Sequence, residues 1–534
     1  MKNADFPSVE RPWDRKKTRI KTPDWNFYTF FINRRRFNTS KEIAVCLDDV
    51  LTIERMKEES LQFAKAFWAY GIRKGDIVPI GLPPCNEAIV LFFALNRMGA
   101  ISSFVKAASL REMDQYCKKY QSKLCIFGDS IENIKVYIQD ASKENGVKAV
   151  NLSGFIQKGT TVNKKIEGGS KDDAAFICYT SGSTGEPKAI VLTNGNLMAS
   201  MTAIEKTCHM RLGPKGKSLQ VVPFNYPYGF LISVIYPMYV GKTSALTPGL
   251  RLEEAADWVR RYKPTYIQAI PAFYKELIKQ LSHSSENLSF IMVEVSGGDT
   301  LESDTKKALK VCNRKHHSRA LICDGSGNGE GGGCLTTSAT LGRINWESVG
   351  KPLKGLNIKI IDPGSGEELG YGKTGILCFS GPMIMKEYYN DPEATRRVLI
   401  KEDGEIWFHT DTYAHIDRKG FIYLDGRDRR FFITFDNSGS PYKVYCDHVQ
   451  QVIGEAIPSI DCAVVKKEDS ERSFIPVAFY TINDRSEPVN IAEYIEKCKR
   501  YLQEYEVPKV WIEVRTLPLN QAGKIDYKSL EEMV

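Results

Sequence analysis

The sequence predicts an α/β protein: a large N-terminal domain of several subdomains with layered sheets, followed by a small C-terminal α+β domain. Three observations predict it. The chain has 534 residues, more than one hydrophobic core normally supports. Strand-like and helix-like segments alternate through most of it, the pattern of parallel sheets covered by helices. Around Gly426 the character changes to a charge cluster, GRDRRFF, followed by about a hundred residues of mixed helix and strand, a normal domain size. The boundary is placed at 426–429, giving domains 1–425 and 426–534.

Each element has its own signal. The first fifty residues are basic and aromatic (RPWDRKKTRIK, then FYTFFINRRRF) and are expected to wrap the surface of the main domain, with binding of an anionic cofactor tail as the minority alternative. From Ile53 the apolar residues Met56, Leu61, Ala64, Phe67 and Trp68 recur near a 3.6 period until Gly71, which predicts a helix. GDIVPIGL reads as a short buried strand and Asn86 to Met98 as a helix. Next come a helix from Ala255 to Tyr262, the strand TYIQAI, and a helix that Pro271 opens at its first turn. Past the boundary, DHVQQVI and IAEYIEKCKRYL read as helices, and DCAVV, SFIPVAFY and VWIEV as strands.

Composition excludes several classes. With 42% hydrophobic and 26% charged residues the chain is globular, neither disordered nor collagenous. A net charge of +8 over this length suits anionic small ligands and is too weak to argue for nucleic acid. Thirteen scattered cysteines without a CxxC pair read as reduced, buried thiols. The N-terminus has no apolar leader, and the greasiest stretch, Gly229 to Val240, is too short for a bilayer. A cytoplasmic protein without a membrane span is expected.

The strongest chemical signal is YTSGSTGEPKAIVLTNGNL, residues 179–197. Its glycines Gly182, Gly185 and Gly195 let backbone N–H groups approach an anion. Thr180, Ser181, Ser183 and Thr184 add donors, and Lys188 adds charge. Such a loop suits a polyphosphate, although GxxxxGK[ST] does not fit it.

The segment resembles the phosphate loop of the adenylate-forming superfamily: acyl-CoA synthetases, luciferases and peptide-synthetase adenylation domains. Further segments are similar in the same order. PFNYPYG (223–229) resembles the substrate gate, and SGGDTL (296–301) the glycine-rich acyl-pocket strand. CDGSGNGE (323–330) resembles the adenine and magnesium motif. WFHTDTYAHIDRKGFIYLDGR (407–427) resembles the ribose strand and hinge, and LPLNQAGKIDYKSL (517–530) the C-terminal lysine loop. The likeness spans roughly residues 50–530 and is nearest to the bacterial AMP-forming acyl-CoA synthetases.

The resemblance implies an enzyme of two half-reactions, in which a carboxylate and MgATP give acyl-AMP and pyrophosphate and a thiol then displaces AMP. It implies Lys524 as the catalytic lysine and Glu330 as the magnesium ligand. Nucleotide contacts would come from the loop residues with Lys188, Asp324, Ser326, Asp411 and Arg427. The acid would lie at Tyr226, Gly297 and Gly298, and a mobile C-terminal domain would pivot at Arg429. ATP, Mg2+ and CoA or a phosphopantetheine carrier are the implied cofactors. The implied partners are a small carboxylic acid and CoA or an acyl carrier protein, with the chain a monomer or homodimer.

Several positions depart from the family pattern. Ser326 and Gly329 stand where the family has a tyrosine and a threonine, and the ribose tripeptide reads Thr410-Asp411-Thr412. The carboxylate has therefore moved by one residue, and reaches ribose only if the strand bulges. Gln450 replaces a structural glutamate. The gate has no aspartate for a substrate ammonium, which disfavours amino acids and leaves a fatty or aryl acid as the expectation. Two other readings stand beside the ligase: a catalytically weakened nucleotide- or acyl-binding homologue, and a stand-alone adenylation enzyme that loads a carrier protein. A dinucleotide oxidoreductase, resting on Gly327, Gly329 and Gly332 alone, is the weakest.

Overall fold

The computed structural model describes residues 20–33, 41–106, 109–140, 146–166, 168–180, 187–208, 216–299, 301–339, 344–363, 365–402, 404–427, 431–435, 441–469, 472–483, 490–519 and 525–534. The helices form where the apolar period placed them, at Ile53–Ala69, Asn86–Met98, Ala255–Tyr262 and Pro271–Leu281. The Thr52 hydroxyl caps the first of these by accepting from the Arg55 N–H at 3.1 Å. Asn86–Met98 is apolar on nearly every side, as a helix enclosed within a core must be.

Two large sheets carry the N-terminal part. The first has nine strands, in the order Lys351–Pro352, Thr336–Thr337, Leu321–Ser326, Val293–Ser296, Tyr266–Ala269, Lys217–Gln220, Thr243–Leu246, Glu42–Cys46 and Asp49–Thr52. Its centre is parallel and its edges antiparallel. The second has eight, in the order Glu387–Tyr388, Ala189–Thr193, Ala174–Tyr179, Ile101–Phe104, Ile77–Gly81, Leu124–Phe127, Lys135–Asp140 and Gly146–Asn151. One apolar cluster joins residues of both sheets to the helices packed on them. At its centre the Phe230 ring meets Phe92 and Phe176 with centroids 5.0 and 5.6 Å apart.

A third, antiparallel sheet holds Asn357–Ile361, Gly375–Ser380, Glu405–Ile416, Leu399–Glu402 and Ile422–Arg427. Beyond it, Ile460–Asp469, Ser473–Ile482 and Val510–Glu513 form a three-stranded sheet with its own core, in which the helices Cys446–Ala456 and Ile491–Lys499 take part. Gln450 ties this unit together: its Oε1 accepts from the Val464 N–H and the Tyr527 hydroxyl, both at 3.2 Å. An amide oxygen thus takes the place of the expected carboxylate.

The N-terminal expectation needs correction at FYTFFI, while residues 1–19 and 34–40 lie outside the described residues. FYTFFI is no surface wrap but the helix Phe27–Ile32, with Phe27 and Phe31 fully buried. Its first-turn N–H groups are satisfied by buried amides: Phe27 donates to Asn194 Oδ1 at 2.9 Å and Tyr28 to Asn96 Oδ1 at 2.7 Å. All thirteen cysteines are free, and none is exposed. Among the described residues no helix is long and apolar enough to cross a membrane. The stretch from Gly229 to Val240 lies in a buried π-helix, Tyr228–Ile235, and the α-helical turn Tyr236–Tyr239. The dinucleotide reading also falls here, since the glycines from 327 onward lead by turns into Thr336–Thr337 and no helix starts there to face a pyrophosphate.

Candidate active site

The site is built at one end of the second sheet. Strands Ala174–Tyr179 and Ala189–Thr193 pair antiparallel, with Tyr179 opposite Ala189. Beyond that pair the Thr180 N–H donates to the Lys188 carbonyl and the Lys188 N–H to Thr180 Oγ1, each at 3.0 Å. The glycine-rich loop therefore leaves from and returns to a pinned base. Ser181, Gly182, Ser183, Thr184 and Gly185 lie outside the described residues, as do Arg429 and Lys524.

Glu330 sits beside this base, 8% exposed. The Tyr388 hydroxyl donates to its Oε1 at 2.6 Å, and the Met385 N–H donates to its backbone carbonyl at 2.7 Å. Burial pushes the Glu330 carboxyl above its ordinary range. The Tyr388 hydrogen bond and the Lys188 charge oppose that rise, and the Asp411 charge adds to it. The Lys188 ammonium lies 5.1 Å from the centroid of the Tyr388 ring, within cation–π range. Tyr388 is itself pushed up by burial and then by Glu330 and Asp411.

The strand that carries Asp411 is irregular. Ile376 pairs with Tyr413 and Cys378 with His409, so Thr410, Asp411 and Thr412 stand opposite the single Leu377. The Thr410 hydroxyl donates to the Leu377 carbonyl at 2.7 Å and accepts from the Thr412 N–H at 3.1 Å, which holds the bulge. The strand thus bulges at the residue where the carboxylate is displaced. Arg427 ends the neighbouring strand with its backbone paired to Thr412.

Asp324 is the last residue of the strand Leu321–Ser326 to pair parallel with Val293–Ser296, and its carboxylate meets the ammonium of Lys306 at 2.6 Å. Both side chains are nearly enclosed, and Lys306 also donates to the Trp346 carbonyl. Burial raises the Asp324 carboxyl and Lys306 partly restores it. Ser326 donates its N–H to Thr336 Oγ1 at 3.2 Å. Next to Gly329 the space belongs to Ile190, since a Cβ at 329 would stand 2.2 Å from Ile190 Cδ1. A threonine there would require the Ile190 side chain to shift.

On the acid side Tyr226 is half-buried, and burial raises its phenol. Tyr228 donates to the Ala269 carbonyl at 3.2 Å, and a Cβ on Gly297 would lie 2.9 Å from its Cζ. The room over Gly297 is therefore taken by this chain's own ring. Gly298 is less crowded, with its nearest neighbour, Ile270 Cγ2, at 3.4 Å. Behind the gate a glycine run supports the backbone: Gly332 and Gly333 have φ of 70° and 94°, open to glycine and strained for other residues. A Cβ on Gly333 would stand 3.0 Å from the backbone of Pro227 and Tyr228, and one on Gly331 2.5 Å from Leu335 Cγ.

Two site residues escaped the sequence reading. Tyr388 stands three residues before Asp391, which caps the helix Pro392–Val398 by accepting from Ala394 N–H at 2.8 Å. An aromatic just before an Asp-Pro helix start gives no hint of such a role in the sequence. Lys306 lies among other lysines on the helix Ser303–Lys315, where nothing sets it apart.

Among the described residues no group of three or more His, Cys, Asp and Glu is placed to hold a metal ion. A site with one carboxylate suits a magnesium ion that keeps most of its waters and binds phosphate oxygens, and Glu330 is such a hard oxygen donor, already oriented by Tyr388.

The putative acyl-CoA ligase YdaB of Bacillus subtilis (strain 168) is 27% identical over 487 residues, 90% of this chain and 93% of that protein. The 4-coumarate-CoA ligase of Pinus taeda is 25% identical over 504 residues, 91% and 89% of the two chains. Among solved structures, ATP-bound MatB from Rhodopseudomonas palustris superposes with a TM-score of 0.81 at 21% identity, covering 96% of this chain and 99% of that one. The o-succinylbenzoate CoA synthetase MenE of Bacillus subtilis, in complex with its acyl-adenylate, gives 0.76 at 20%, covering 96% and 99%. These two likenesses establish the fold, a large multi-sheet domain with a small C-terminal one. The family model described as AMP-binding enzyme matches residues 33–389, from before the first large sheet to the strand that carries Tyr388, and the chain belongs to that family.

Proposed function

We propose that the protein is an acid–thiol ligase that activates a carboxylic acid as its acyl-AMP and passes the acyl group to a thiol. The observation that carries the reading is the cluster at the pinned loop base: Glu330, buried and held by Tyr388, whose ring faces Lys188. A carboxylate attacking a phosphate brings like charges together, so cations and oriented dipoles must stand where charge builds up. Lys188 and the loop donors from Thr180 to Gly185 would hold the phosphates, and Asp411 and Arg427 would address the ribose. Ser326 and Asp324 would border the base. Magnesium at Glu330 would neutralise phosphate charge. Lys524 would bridge the attacking carboxylate and the α-phosphate.

Tyr226 and Gly298 would line the acid, a fatty or aryl acid in this reading, with the Tyr228 ring in place of the room expected over Gly297. The named activities of the relatives favour CoA as the thiol over a carrier protein. The lid, residues 426–534, would pivot at Arg429 between the half-reactions. The protein would work in the cytoplasm as a monomer or homodimer.

The test is ATP-dependent pyrophosphate release across fatty, aryl and amino acids, with and without CoA. Release with one acid class and a CoA thioester is expected. Lys524→Ala should stay folded and lose on the order of 100-fold in adenylation, about 3 kcal/mol of barrier. Retained adenylation in that folded variant would refute the role of Lys524.

One observation favours a second reading, a binding homologue with weakened chemistry: the Asp324 carboxylate is already engaged by Lys306. That protein would be stabilised by MgATP and release no pyrophosphate with any acid.

A further inference from the structure

Tyr388 touches both charged side chains of the candidate phosphate site. Its hydroxyl donates to Glu330 Oε1 at 2.6 Å, and its ring lies 5.1 Å from the Lys188 ammonium. Its own place is fixed several times over. The two-residue strand Glu387–Tyr388 pairs with the strand Ala189–Thr193, which sets Tyr388 opposite Ile190. On either side of it Lys386 N–H donates to the Val191 carbonyl at 3.0 Å and Tyr389 N–H to the Ala189 carbonyl at 2.8 Å. The Tyr388 N–H donates to Thr395 Oγ1 at 2.9 Å, on the helix that Asp391 caps. Met385, three residues earlier, holds the Glu330 carbonyl. A phenol so fixed directs one carboxylate oxygen and leaves the direction of the other set, as an outer partner does for a metal-binding side chain.

We infer that Tyr388 is a positioning residue that aims the Glu330 carboxylate at the divalent cation of the bound nucleotide and ties it to the Lys188 cation on the phosphates. The inference rests on the adenylating reading above. Hydroxyl and ring have separable parts: the hydroxyl serves the metal carboxylate, the ring serves Lys188.

Thermal stabilisation by ATP, titrated with Mg2+, tests this on wild type, Tyr388→Phe and Tyr388→Leu, with pyrophosphate release measured in parallel. Tyr388→Phe keeps the ring. It should melt near wild type, need about tenfold more Mg2+ for half-maximal stabilisation, and show an unchanged KM for the acid. Tyr388→Leu should in addition weaken ATP itself at saturating Mg2+. Wild type that responds to MgATP while Tyr388→Phe titrates with Mg2+ within twofold of it would overturn this inference alone. Wild type that neither gains stability with MgATP nor releases pyrophosphate would overturn both this inference and the adenylating reading.

Discussion

The ion pair between Lys306 and Asp324 joins two charges with little access to water. In such a pair the mutual attraction offsets desolvation only while both partners remain. Lys306→Met should therefore cost about 3 kcal/mol in urea unfolding, and Lys306→Met combined with Asp324→Leu should recover most of it. Equal losses in the single and double variants would count against the pairing. Glu294 behaves differently. Its Oε2 accepts from Asn313 at 2.6 Å, its Oε1 has no hydrogen-bond partner among the described residues, and burial raises the carboxyl to about 7. A raised carboxyl binds its proton more tightly in the folded chain than in the unfolded one. Its contribution is thus complete below about 4.5 and is lost as pH rises through about 7. Glu294→Gln should flatten the fall of the melting temperature between pH 5 and 8, and an unchanged slope would show that other groups govern it. Neither role was legible in the sequence, because a lysine on a helix and a glutamate in a strand acquire such partners only from tertiary packing. The nucleotide candidates stand out in the sequence because their residue types cluster within short segments.

Elements were most legible where a period is long. The helices Ile53–Ala69 and Asn86–Met98 have enough turns for the apolar stripe or run to define them. The two-residue strand Glu387–Tyr388 and the bulge at Thr410, Asp411 and Thr412 have no such signature. Only a neighbouring strand gives them meaning. The paired strands also set which residues fit opposite one another. Ile190, fully buried, fills the space a side chain at 329 would need. Gly329→Thr is expected to destabilise by about 1–3 kcal/mol through overpacking, and Ile190→Ala to restore part of that loss in the double variant. A double-mutant cycle by chemical denaturation reads the coupling; additive losses would mean that the two side chains do not compete for one space.

For the whole molecule, alternation of strand and helix was sufficient to reach layered sheets, since parallel strands need covering helices on both faces. Strand order was beyond reach, because local sequence does not say which distant strand supplies the next partner. The helix Phe27–Ile32 was misread for a related reason: its neighbours in sequence are basic, while its neighbours in space are Phe92 and Phe93, with ring centroids 6.1 and 6.4 Å from Phe27. The division at 426–429 remains a proposal from the change in composition there. Brief proteolysis followed by mass determination should find its earliest cut near that boundary, and first cuts scattered through 50–400 would argue against it.

The glycines at 331–333 carry no functional group, yet each position meets a neighbour or a φ that other residues resist. In a library of all single substitutions this stretch should be as intolerant as residues that touch a substrate. A map of mutational sensitivity would therefore mark a place of pure shape in the same colour as a place of chemistry, and only a measurement that separates abundance of folded protein from turnover would tell them apart.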